Sequence, residues 1–370
     1  MSINLRSFPG NVFPDVSGAQ AKPPDKNFDL LASNTAEKLK ETLYPDAASI
    51  HFFPCMKEGL YECTWASFFK GNALVCVNGP LSQEWFDIGK TLGFTADLFD
   101  TPYGKSMDET LLEQRLKARK YDEIFITEID PYTGTMVNIP EISKIIREIQ
   151  PEALTVVDCT ASIGCVLPLK LNQDADIIIA GSECALGVPP GLGIIVMGQR
   201  ASLQSLTISG SGCYFNFNYQ QQLKREKLLS PMVPYPLLYS LDKQLDRIKL
   251  EGLDERIAHI KEIGEKAEHW AEKNKFRIFP DRNVAAPTVT VFHCLEQISP
   301  EELIEYLNNF GILLGSCPGE LAKEYIIFAH MNNDLEDLEA FYAVMAKFLK
   351  DYDTRTNLPK FRLFKRENLE

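Results

Sequence analysis

Long apolar runs are absent from this sequence: none approaches the roughly 18 residues that a membrane-spanning helix requires. The first residues, MSINLRSFPGNVFPD, also lack the apolar segment of a signal peptide. Positive charge is scarce as well, because 38 lysines and arginines face 51 aspartates and glutamates, for a net charge of −13. Nucleic acids and anionic membranes attract basic proteins. We therefore expect a cytoplasmic protein that binds neither nucleic acid nor a membrane.

Metal-ligand patterns are missing too. The nine cysteines include no CxxC pair and stand mostly within apolar runs, and the five histidines are spread singly along the chain. Zinc sites need clustered cysteine and histidine ligands. Isolated cysteines in apolar runs are instead typical of buried free thiols in a reducing compartment. The sequence therefore predicts free thiols and no structural metal site.

Three β-rich runs between Leu154 and Met197 are the most regular feature of the chain. They read LTVVD, ADIIIAG and GIIVM, and turns and a glycine- and proline-rich loop separate them. Runs that are apolar throughout favour strands covered on both faces, as in a parallel or mixed sheet between helices. Ligands of such sheets bind at the strand ends. We therefore expect Asp158 and the segment 181–184 to share one crevice.

The rest of the chain divides into four regions. Strand-like and helix-like segments alternate from ASIHFF to IPEISKIIREIQP, which predicts a doubly wound α/β domain. SLTISGSGCYFNFNYQQQLK reads as an irregular connection, and a helical pattern of more than thirty residues follows it, with a break expected at Gly252. The predicted regions are an irregular N-terminal arm (1–26), the large domain (27–245), a small α+β domain (246–352) and a basic tail (353–370).

Several motifs resemble the class V aminotransferases, a branch of the fold-type-I enzymes that use pyridoxal phosphate (PLP). VVDCTASIG followed by GSECALGVPPGL is similar to the family's cofactor-binding segments, and NGPLSQEWFDIGKTLGF and EYIIFAHMNNDLEDL occur in the family's order. The resemblance implies an α/β protein of fold type I. Its large doubly wound domain would hold a mixed, mostly parallel sheet, beside a small C-terminal α+β domain. It also implies a homodimer in which the N-terminal arm lies across the partner.

The resemblance assigns Asp158 to the pyridinium nitrogen of PLP and puts Cys184 where the family has the lysine that forms a Schiff base. A thiol cannot form that bond. Most of the other cofactor and substrate positions differ from the family pattern as well. They are Lys57 and Gly59 in the phosphate-binding turn, Leu81 for a stacking aromatic residue, Tyr132 or Thr133 for the ring-oxygen contact, Glu183 for a phosphate-binding glutamine, Ile327 for the substrate arginine, and Ser230 and Met232 for the partner's phosphate contacts, whereas His330 is retained.

These differences share a loss of positive charge. A lysine and an arginine are gone, and Glu183, Glu128 and Asp130 add carboxylates to a site that should hold the phosphate of PLP and a substrate carboxylate. In a partly buried site, repulsion and desolvation of this kind amount to roughly several kcal/mol. We therefore expect no cofactor, although the resemblance admits PLP or pyridoxamine phosphate.

Three functions remain as alternatives. The first is a catalytically inactive homodimer that binds a small molecule or a protein, and the joint loss of cofactor positions favours it. The second is an enzyme that uses Cys184 as a nucleophile beside Asp158, although a small buried thiol explains Cys184 equally well. The third is a PLP-dependent transferase or lyase that uses Lys57 or Lys170, or that holds pyridoxamine phosphate without a Schiff base. The carboxylates could also bind a cation or an amine.

Overall fold

A computed structural model describes residues 3–22, 28–205, 212–225, 234–295 and 298–356. The strands, in chain order, are β1 (Ile3–Leu5), β2 (Ser49–Phe53), β3 (Ala73–Val77), β4 (Ala96–Asp100), β5 (Glu123–Thr127), β6 (Ile129–Asp130), β7 (Thr135–Met136), β8 (Leu154–Asp158), β9 (Ile177–Gly181), β10 (Gly193–Met197), β11 (Arg277–Ile278), β12 (Val289–His293), β13 (Ile312–Ser316) and β14 (Tyr325–Ala329). The α-helices are α1 (Pro14–Gly18), α2 (Phe28–Leu43), α3 (Lys57–Phe68), α4 (Pro80–Thr91), α5 (Glu109–Ala118), α6 (Ile139–Ile149), α7 (Gln199–Ser205), α8 (Phe217–Arg225), α9 (Tyr235–Glu251), α10 (Leu253–Lys273), α11 (Pro300–Asn308) and α12 (Leu335–Thr356).

A seven-stranded sheet forms the centre of the large domain, with the strand order β2-β10-β9-β8-β5-β3-β4. β10 is antiparallel to both of its neighbours, and the remaining neighbours run parallel. Every residue of β3, β5, β8, β9 and β10 is buried, because apolar clusters cover both faces of the sheet. The parallel or mixed sheet predicted from the apolar runs is confirmed, and so is the mixed, mostly parallel sheet that the resemblance implies.

A second sheet of five strands, in the order β1-β13-β14-β12-β11, belongs to the C-terminal part of the chain. β14 is antiparallel to β12 and β13, whereas β1 is parallel to β13. This sheet has a core of its own, which includes Leu5, Phe276 and Phe341. The small α+β unit was predicted, but β13 was not, because its run ILLGS follows α11 after only a short turn at Gly311.

The long helical segment breaks where the sequence predicts. Gly252 separates α9 from α10 at a φ of 88°, which glycine adopts without the steric cost of a Cβ. On one side of the break α9 packs against α1 and α2, and on the other α10 packs against β11 and β12. The two halves of the segment therefore belong to different packing units.

Two segments expected to be irregular contain regular structure. The N-terminal arm holds β1, because its backbone extends the second sheet beside β13, and it also holds α1. The stretch after Met197 holds α7 and α8. Asn216 caps α8 by accepting the backbone N–H of Tyr219 at 3.0 Å. At the other end of the chain α12 continues to Thr356, and the remainder of the basic tail, 357–370, lies outside the described residues.

All nine cysteines are free, as their scattered positions predict; Cys213 is exposed, Cys55 is half-buried and the other seven are buried. Among the helices that the structure describes, none combines the length and apolar character needed to cross a bilayer. Within the same residues no group of three or more histidine, cysteine, aspartate or glutamate side chains is arranged to hold a metal ion.

Candidate functional site at the carboxyl ends of the large sheet

The carboxyl ends of the central strands of the large sheet meet at one crevice. Thr127 ends β5 beside Asp158, which ends β8. Thr160 joins the loops that follow β8 and β9: its hydroxyl accepts the N–H of Gly181 at 3.0 Å, and its carbonyl accepts the N–H of Ala185 at 3.1 Å. The structure thus brings the Asp158 loop and the loop that begins at Gly181 together.

Asp158 lies inside this crevice with only 1% of its surface exposed. Its Oδ1 accepts the N–H of Thr160 at 2.8 Å, and its Oδ2 accepts the hydroxyl of Tyr61 at 2.6 Å. Tyr61 is fully buried and stacks on Trp85, with 4.9 Å between the ring centroids. Burial raises the pKa of Asp158 above its ordinary value, against the opposing effect of these hydrogen bonds. Both carboxylate oxygens therefore have donors within the chain.

Glu183 is the second buried carboxyl group, with 2% exposure. Its Oε1 accepts the backbone N–H of Lys57, the first residue of α3, at 2.9 Å, whereas its Oε2 has no hydrogen-bond partner. The carboxyl group lies against Gly181, where any Cβ would overlap it. Burial raises the pKa of Glu183 to about 7. The carboxyl group of Glu183 thus occupies the amino end of α3, a position at which helices commonly bind anions.

The ammonium group of Lys57 forms salt bridges with two other glutamates. Its Nζ donates to Glu58 Oε1 and to Glu84 Oε2, both at 2.6 Å, and lies 5.7 Å from the ring centroid of Phe8 and 5.8 Å from that of Tyr61. Burial by itself lowers the pKa of Lys57, but the two glutamates outweigh burial and the pKa is raised. The side chain is therefore a buried, fully paired ammonium ion.

Asp130 occupies the amino end of α4. Its Oδ2 accepts the N–H of Leu81 at 2.7 Å, and its Oδ1 accepts the N–H groups of Tyr132 and Thr133, both at 2.9 Å, and the Thr133 hydroxyl at 3.2 Å. Gly79 leaves the space for this carboxyl group, because a Cβ there would overlap it. Burial raises the pKa of Asp130 to about 6 in spite of these donors. Leu81 and Thr133 are both fully buried.

Glu128 is the fourth buried carboxyl group of the crevice, with 3% exposure. Its Oε2 accepts the hydroxyl of Ser162 at 2.5 Å, and burial raises its pKa to about 7. The residues just described thus include four buried carboxyl groups, Asp158, Glu183, Asp130 and Glu128, and one buried ammonium group, that of Lys57. Burial raises the pKa of each of the four carboxyl groups above its ordinary value.

Cys184 is completely buried, and its Sγ lies 3.9 Å from the Sδ of Met331. Burial raises the pKa of the Cys184 thiol well above its ordinary value, and the neighbouring Glu183 carboxylate adds to the effect. The backbone of Gly10 covers the carbonyl of Cys184 so closely that a Cβ at residue 10 would lie 2.7 Å from that oxygen. A buried thiol in acidic surroundings is protonated and poorly nucleophilic at neutral pH.

His330 directly follows β14 of the second sheet, and both of its ring nitrogens have hydrogen-bond partners. Nδ1 lies 2.9 Å from the carbonyl oxygen of Pro287 and Nε2 lies 2.8 Å from the hydroxyl of Thr290. Because a carbonyl can only accept, Nδ1 carries the proton and Nε2 accepts from Thr290. Burial lowers the pKa of His330 to about 4, so the ring is neutral. Ile327 is fully buried in β14 of the same sheet.

Gly59 allows tight packing around the first turn of α3. A Cβ at this position would lie 2.5 Å from the Cβ of Cys55 and 2.8 Å from the ring of Phe215. Its role in the described structure is therefore steric. The two positions assigned to the partner's phosphate contacts, Ser230 and Met232, lie outside the described residues.

Tyr61, Glu84 and Phe8 belong to this site but were not identified from the sequence. Tyr61 follows Lys57 by four residues on α3, a spacing that places both side chains on one face of a helix. That spacing is a signal the sequence carries, once α3 is taken to begin at Lys57. Glu84 and Phe8 approach from α4 and from the N-terminal arm, and no local pattern marks either of them.

The same architecture occurs in solved aminotransferases. Alanine–glyoxylate aminotransferase from Nostoc sp. matches it with a TM-score of 0.86 at 20% sequence identity, over 94% of this chain and 95% of that chain. The fold is therefore that of the fold-type-I PLP-dependent transferases.

The family follows from the sequence comparisons. The profile described as Aminotransferase class-V matches residues 70–332, and the chain belongs to this family of PLP-dependent enzymes, as its motifs suggest. It is 26% identical over 334 residues to serine–glyoxylate aminotransferase of Methylorubrum extorquens, covering 86% of this chain and 82% of that protein. It is 24% identical over 315 residues to serine–glyoxylate aminotransferase of Arabidopsis thaliana, covering 82% and 78%. PLP is accordingly a candidate cofactor whose fit to these residues needs testing.

Proposed function

We propose that this protein keeps the class V aminotransferase fold as a homodimeric binding protein and does not catalyse PLP-dependent transamination. One observation supports the proposal. The family pattern assigns the start of α3 and the carboxylate of Asp158 to cofactor binding, and both already have partners within the chain. The carboxylate of Glu183 accepts the N–H at the start of α3, and the hydroxyl of Tyr61 donates to Asp158. A bound cofactor would have to displace both side chains.

The start of α3 does not suit a phosphate group. Helix amino ends attract anions through unpaired N–H groups and the helix dipole, but Glu183 Oε1 lies 2.9 Å from the N–H of Lys57. A phosphate at this place would meet a carboxyl group that is only 2% exposed. Repulsion between two anions is strong in such surroundings, because little water screens it. The residues present at this helix therefore do not fit a phosphorylated cofactor.

The amines of this chain do not suit a Schiff base either. By the motif, Cys184 takes the place of the family's lysine. Lys57 is held by Glu58 and Glu84, and its raised pKa keeps the amine in the protonated, non-nucleophilic form. Lys170 is exposed and precedes β9, so it lies at the amino end of a strand whose carboxyl end meets the crevice.

The environment of Cys184 also argues against the second alternative, an enzyme with a cysteine nucleophile. Reactive cysteines need a lowered pKa and access to a substrate. Cys184 is fully buried, and its pKa is raised by burial and by the Glu183 carboxylate. Its Sγ lies 3.9 Å from the thioether sulfur of Met331, which cannot act as a base. We therefore place Cys184 among the structural thiols.

The proposed dimer rests on the family resemblance. Sedimentation velocity over a range of protein concentrations tests the proposal. A dimer at micromolar concentration is expected, and a monomer at every concentration would refute it.

The absence of PLP chemistry is tested by titrating PLP and pyridoxamine phosphate into the purified protein while recording the visible spectrum and the thermal transition. A ligand at about a hundred times its dissociation constant stabilises a protein by about 2.7 kcal/mol. We expect no yellow Schiff-base absorption and no shift of the transition with either compound.

The Glu183→Gln variant provides the matched comparison, because it keeps an acceptor for the Lys57 N–H but removes the negative charge. We expect this variant to gain stability from pyridoxamine phosphate where the native protein does not. Stabilisation of the native protein by either compound would contradict the proposal. A yellow spectrum that borohydride fixes onto a lysine would show that another lysine forms the Schiff base.

A further inference from the structure

We propose that a groove between α4 and the second sheet binds the basic segment 358–366 of the chain's own C-terminal tail. The segment reads LPKFRLFKR and lies outside the described residues. The groove is a cavity of about 640 Å³, lined by α4, by Tyr103 and by residues 318–321, at the 3₁₀ turn Gly319–Lys323. The proposal goes beyond the proposed function, since it concerns a docking surface and holds whether or not PLP binds.

One wall of the groove is a face of α4. The lining residues of this helix recur at intervals of three and four, as positions on one side of a helix do. They are Pro80, Gln83, Glu84, Asp87, Ile88 and Thr91. The 12 residues of α4 extend over about 18 Å, and about five or six residues of extended chain span the same distance. The groove therefore has the length that a short peptide segment requires.

The groove carries negative charge. Glu84, Asp87 and Glu320 line it, and among the described residues no lysine or arginine does so. Glu84 pairs with Lys57 at 2.6 Å and Glu320 pairs with Lys323 at 2.5 Å, whereas Asp87 has no salt bridge within the described part of the chain. The Glu320–Lys323 pair is exposed on both sides, and pairs of this kind contribute little to stability. Asp87 and Glu320 are therefore available to a cation that enters the groove.

The segment 358–366 complements this charge. It contains Lys360, Arg362, Lys365 and Arg366 and no acidic residue. The whole chain has a net charge of −13, so the remainder of the chain, without these four cations, has −17. Complementary charges attract and orient two surfaces before they meet. The most favourable place for the segment is therefore an acidic surface such as this groove.

Apolar contacts are available on both sides as well. Basic and apolar residues alternate in KFRL, so in an extended chain Phe361 and Leu363 share one side. The groove is lined by four apolar side chains and one aromatic ring, those of Pro80, Ile88, Pro318, Leu321 and Tyr103. Burial of a phenylalanine against such residues is favourable, and a tyrosine ring can also hold an arginine. The groove thus suits a segment that carries both kinds of side chain.

The tail leaves α12 at the end of the second sheet where the groove lies. β14 begins directly after the turn Gly319–Lys323, and α12 starts beyond the opposite end of β14 and returns. On its way back α12 packs on α11, with 4.9 Å between the ring centroids of Phe348 and Tyr306. Burial raises the pKa of Tyr352, and the carboxylate of Glu302, in the first turn of α11, adds to the effect. The last described turns of α12 therefore lie beside the start of α11.

The distance from there to the groove is within reach of the tail. α11 packs against the turn Gly319–Lys323 and is itself only about 14 Å long. From Thr356, where α12 ends, to Arg366 an extended chain can span about 35 Å. The segment can therefore enter the groove of its own chain, where its tether keeps its local concentration high.

The experiment uses the full-length protein with the photoreactive residue p-benzoylphenylalanine in place of Phe361 or Phe364, and cross-linked peptides are mapped by mass spectrometry. Both native residues are aromatic, so the change is conservative. We expect cross-links to α4 or to the turn Gly319–Lys323. Denaturing electrophoresis separates a cross-link within one chain from one between two chains, because only the second doubles the mass.

Charge variants test the role of the groove. Asp87→Lys combined with Glu320→Lys should lower the yield of cross-links about fivefold, because two attractive contacts become repulsive. The matched control is Glu148→Lys combined with Glu152→Lys. These two exposed residues lie just before β8, and reversing them changes the net charge equally. The control should leave the yield within about a factor of two of the native value.

Exchanging the signs on both sides tests direct pairing. Lys360→Glu and Arg362→Glu, added to the groove variant, should restore most of the cross-linking. If the thermal transition shows that the lysine variant does not fold, Asp87→Asn with Glu320→Gln removes the charges and keeps the shapes.

The proposal is overturned if the cross-links map to another surface or join two chains. It is equally overturned if a folded groove variant cross-links as well as the native protein does. None of these measurements involves PLP, so a failure here and a failure of the proposed function would be told apart.

Discussion

Replacing Glu183 by glutamine should change the way in which the stability of this protein depends on pH. The folded protein raises the pKa of this carboxyl from an ordinary value of 4.5 to about 7, because the group is buried and its Oε2 has no partner. Between these two pKa values the folded state binds more protons at Glu183 than the unfolded state does. Stability must therefore fall as the pH rises through this window.

The size of the effect follows from the two pKa values. A tenfold change in proton affinity corresponds to about 1.4 kcal/mol, so ionised Glu183 costs about 3 kcal/mol at alkaline pH. At about pH 5 part of this cost has already appeared, because the Glu183 carboxyl group of the unfolded protein is mostly ionised at that pH. The difference that remains between about pH 5 and about pH 8 is about 2.5 kcal/mol. Glutamine does not titrate, and the variant should lack this part of the pH dependence.

Urea unfolding at fixed protein concentration, repeated across this pH range, measures the difference directly. The comparison uses the change of unfolding free energy with pH in each protein, so any constant cost of the glutamine amide cancels. Glu152→Gln, at an exposed position in the turn before β8, should keep the native pH profile. Parallel profiles for Glu183→Gln and the native protein would refute the reasoning, since they would mean that Glu183 has the same pKa folded and unfolded.

Two further predictions concern the buried hydrogen bonds. Tyr61→Phe removes the hydroxyl that donates to Asp158 at 2.6 Å, and it should destabilise the protein by about 1–3 kcal/mol, more at high pH. Tyr121→Phe removes a hydroxyl that donates to the carboxylate of Asp97, which is 22% exposed, and it should cost under about 1 kcal/mol. Equal losses would contradict the first. Arg256→Lys should cost about 2–3 kcal/mol, because lysine cannot replace a guanidinium that donates to Gly164 at 2.7 Å and to Asn332 at 2.6 Å. Urea unfolding checks it, with exposed Arg282→Lys as the neutral control.

Glu183 Oε2 has no hydrogen-bond partner, and burial raises the pKa values of Asp130, Glu128 and Glu183. Keeping these carboxyl groups buried therefore costs the folded protein free energy. Buried carboxyl groups of this kind persist in proteins when they serve binding or specificity, or when the rest of the structure holds them in place. Here the amino ends of α3 and α4 each hold one of the carboxylates. Two helix ends that could bind an external anion are therefore satisfied from within.

Local sequence determined the large sheet. Strands β8 and β10 coincide with the mostly apolar runs LTVVD and GIIVM, because such runs are favoured where both faces of a sheet are covered. The break at Gly252 was equally predictable, since it depends on one residue's backbone freedom. The short strands β1 and β13 were not, because their pairing joins Ile3 to Ile312, which are remote in the chain, and neither strand has a strong pattern alone.

The candidate site divides in the same way. The motifs by themselves located Asp158, Glu183 and Cys184 at or just after the carboxyl ends of strands, where ligands of such sheets bind. Only the tertiary structure decided what these groups contact: Tyr61 comes from one helix, Lys57 from its first turn and Gly10 from the far end of the chain. Such contacts join residues that are remote in sequence, and their burial, which sets every pKa in the crevice, exists only once the chain has folded.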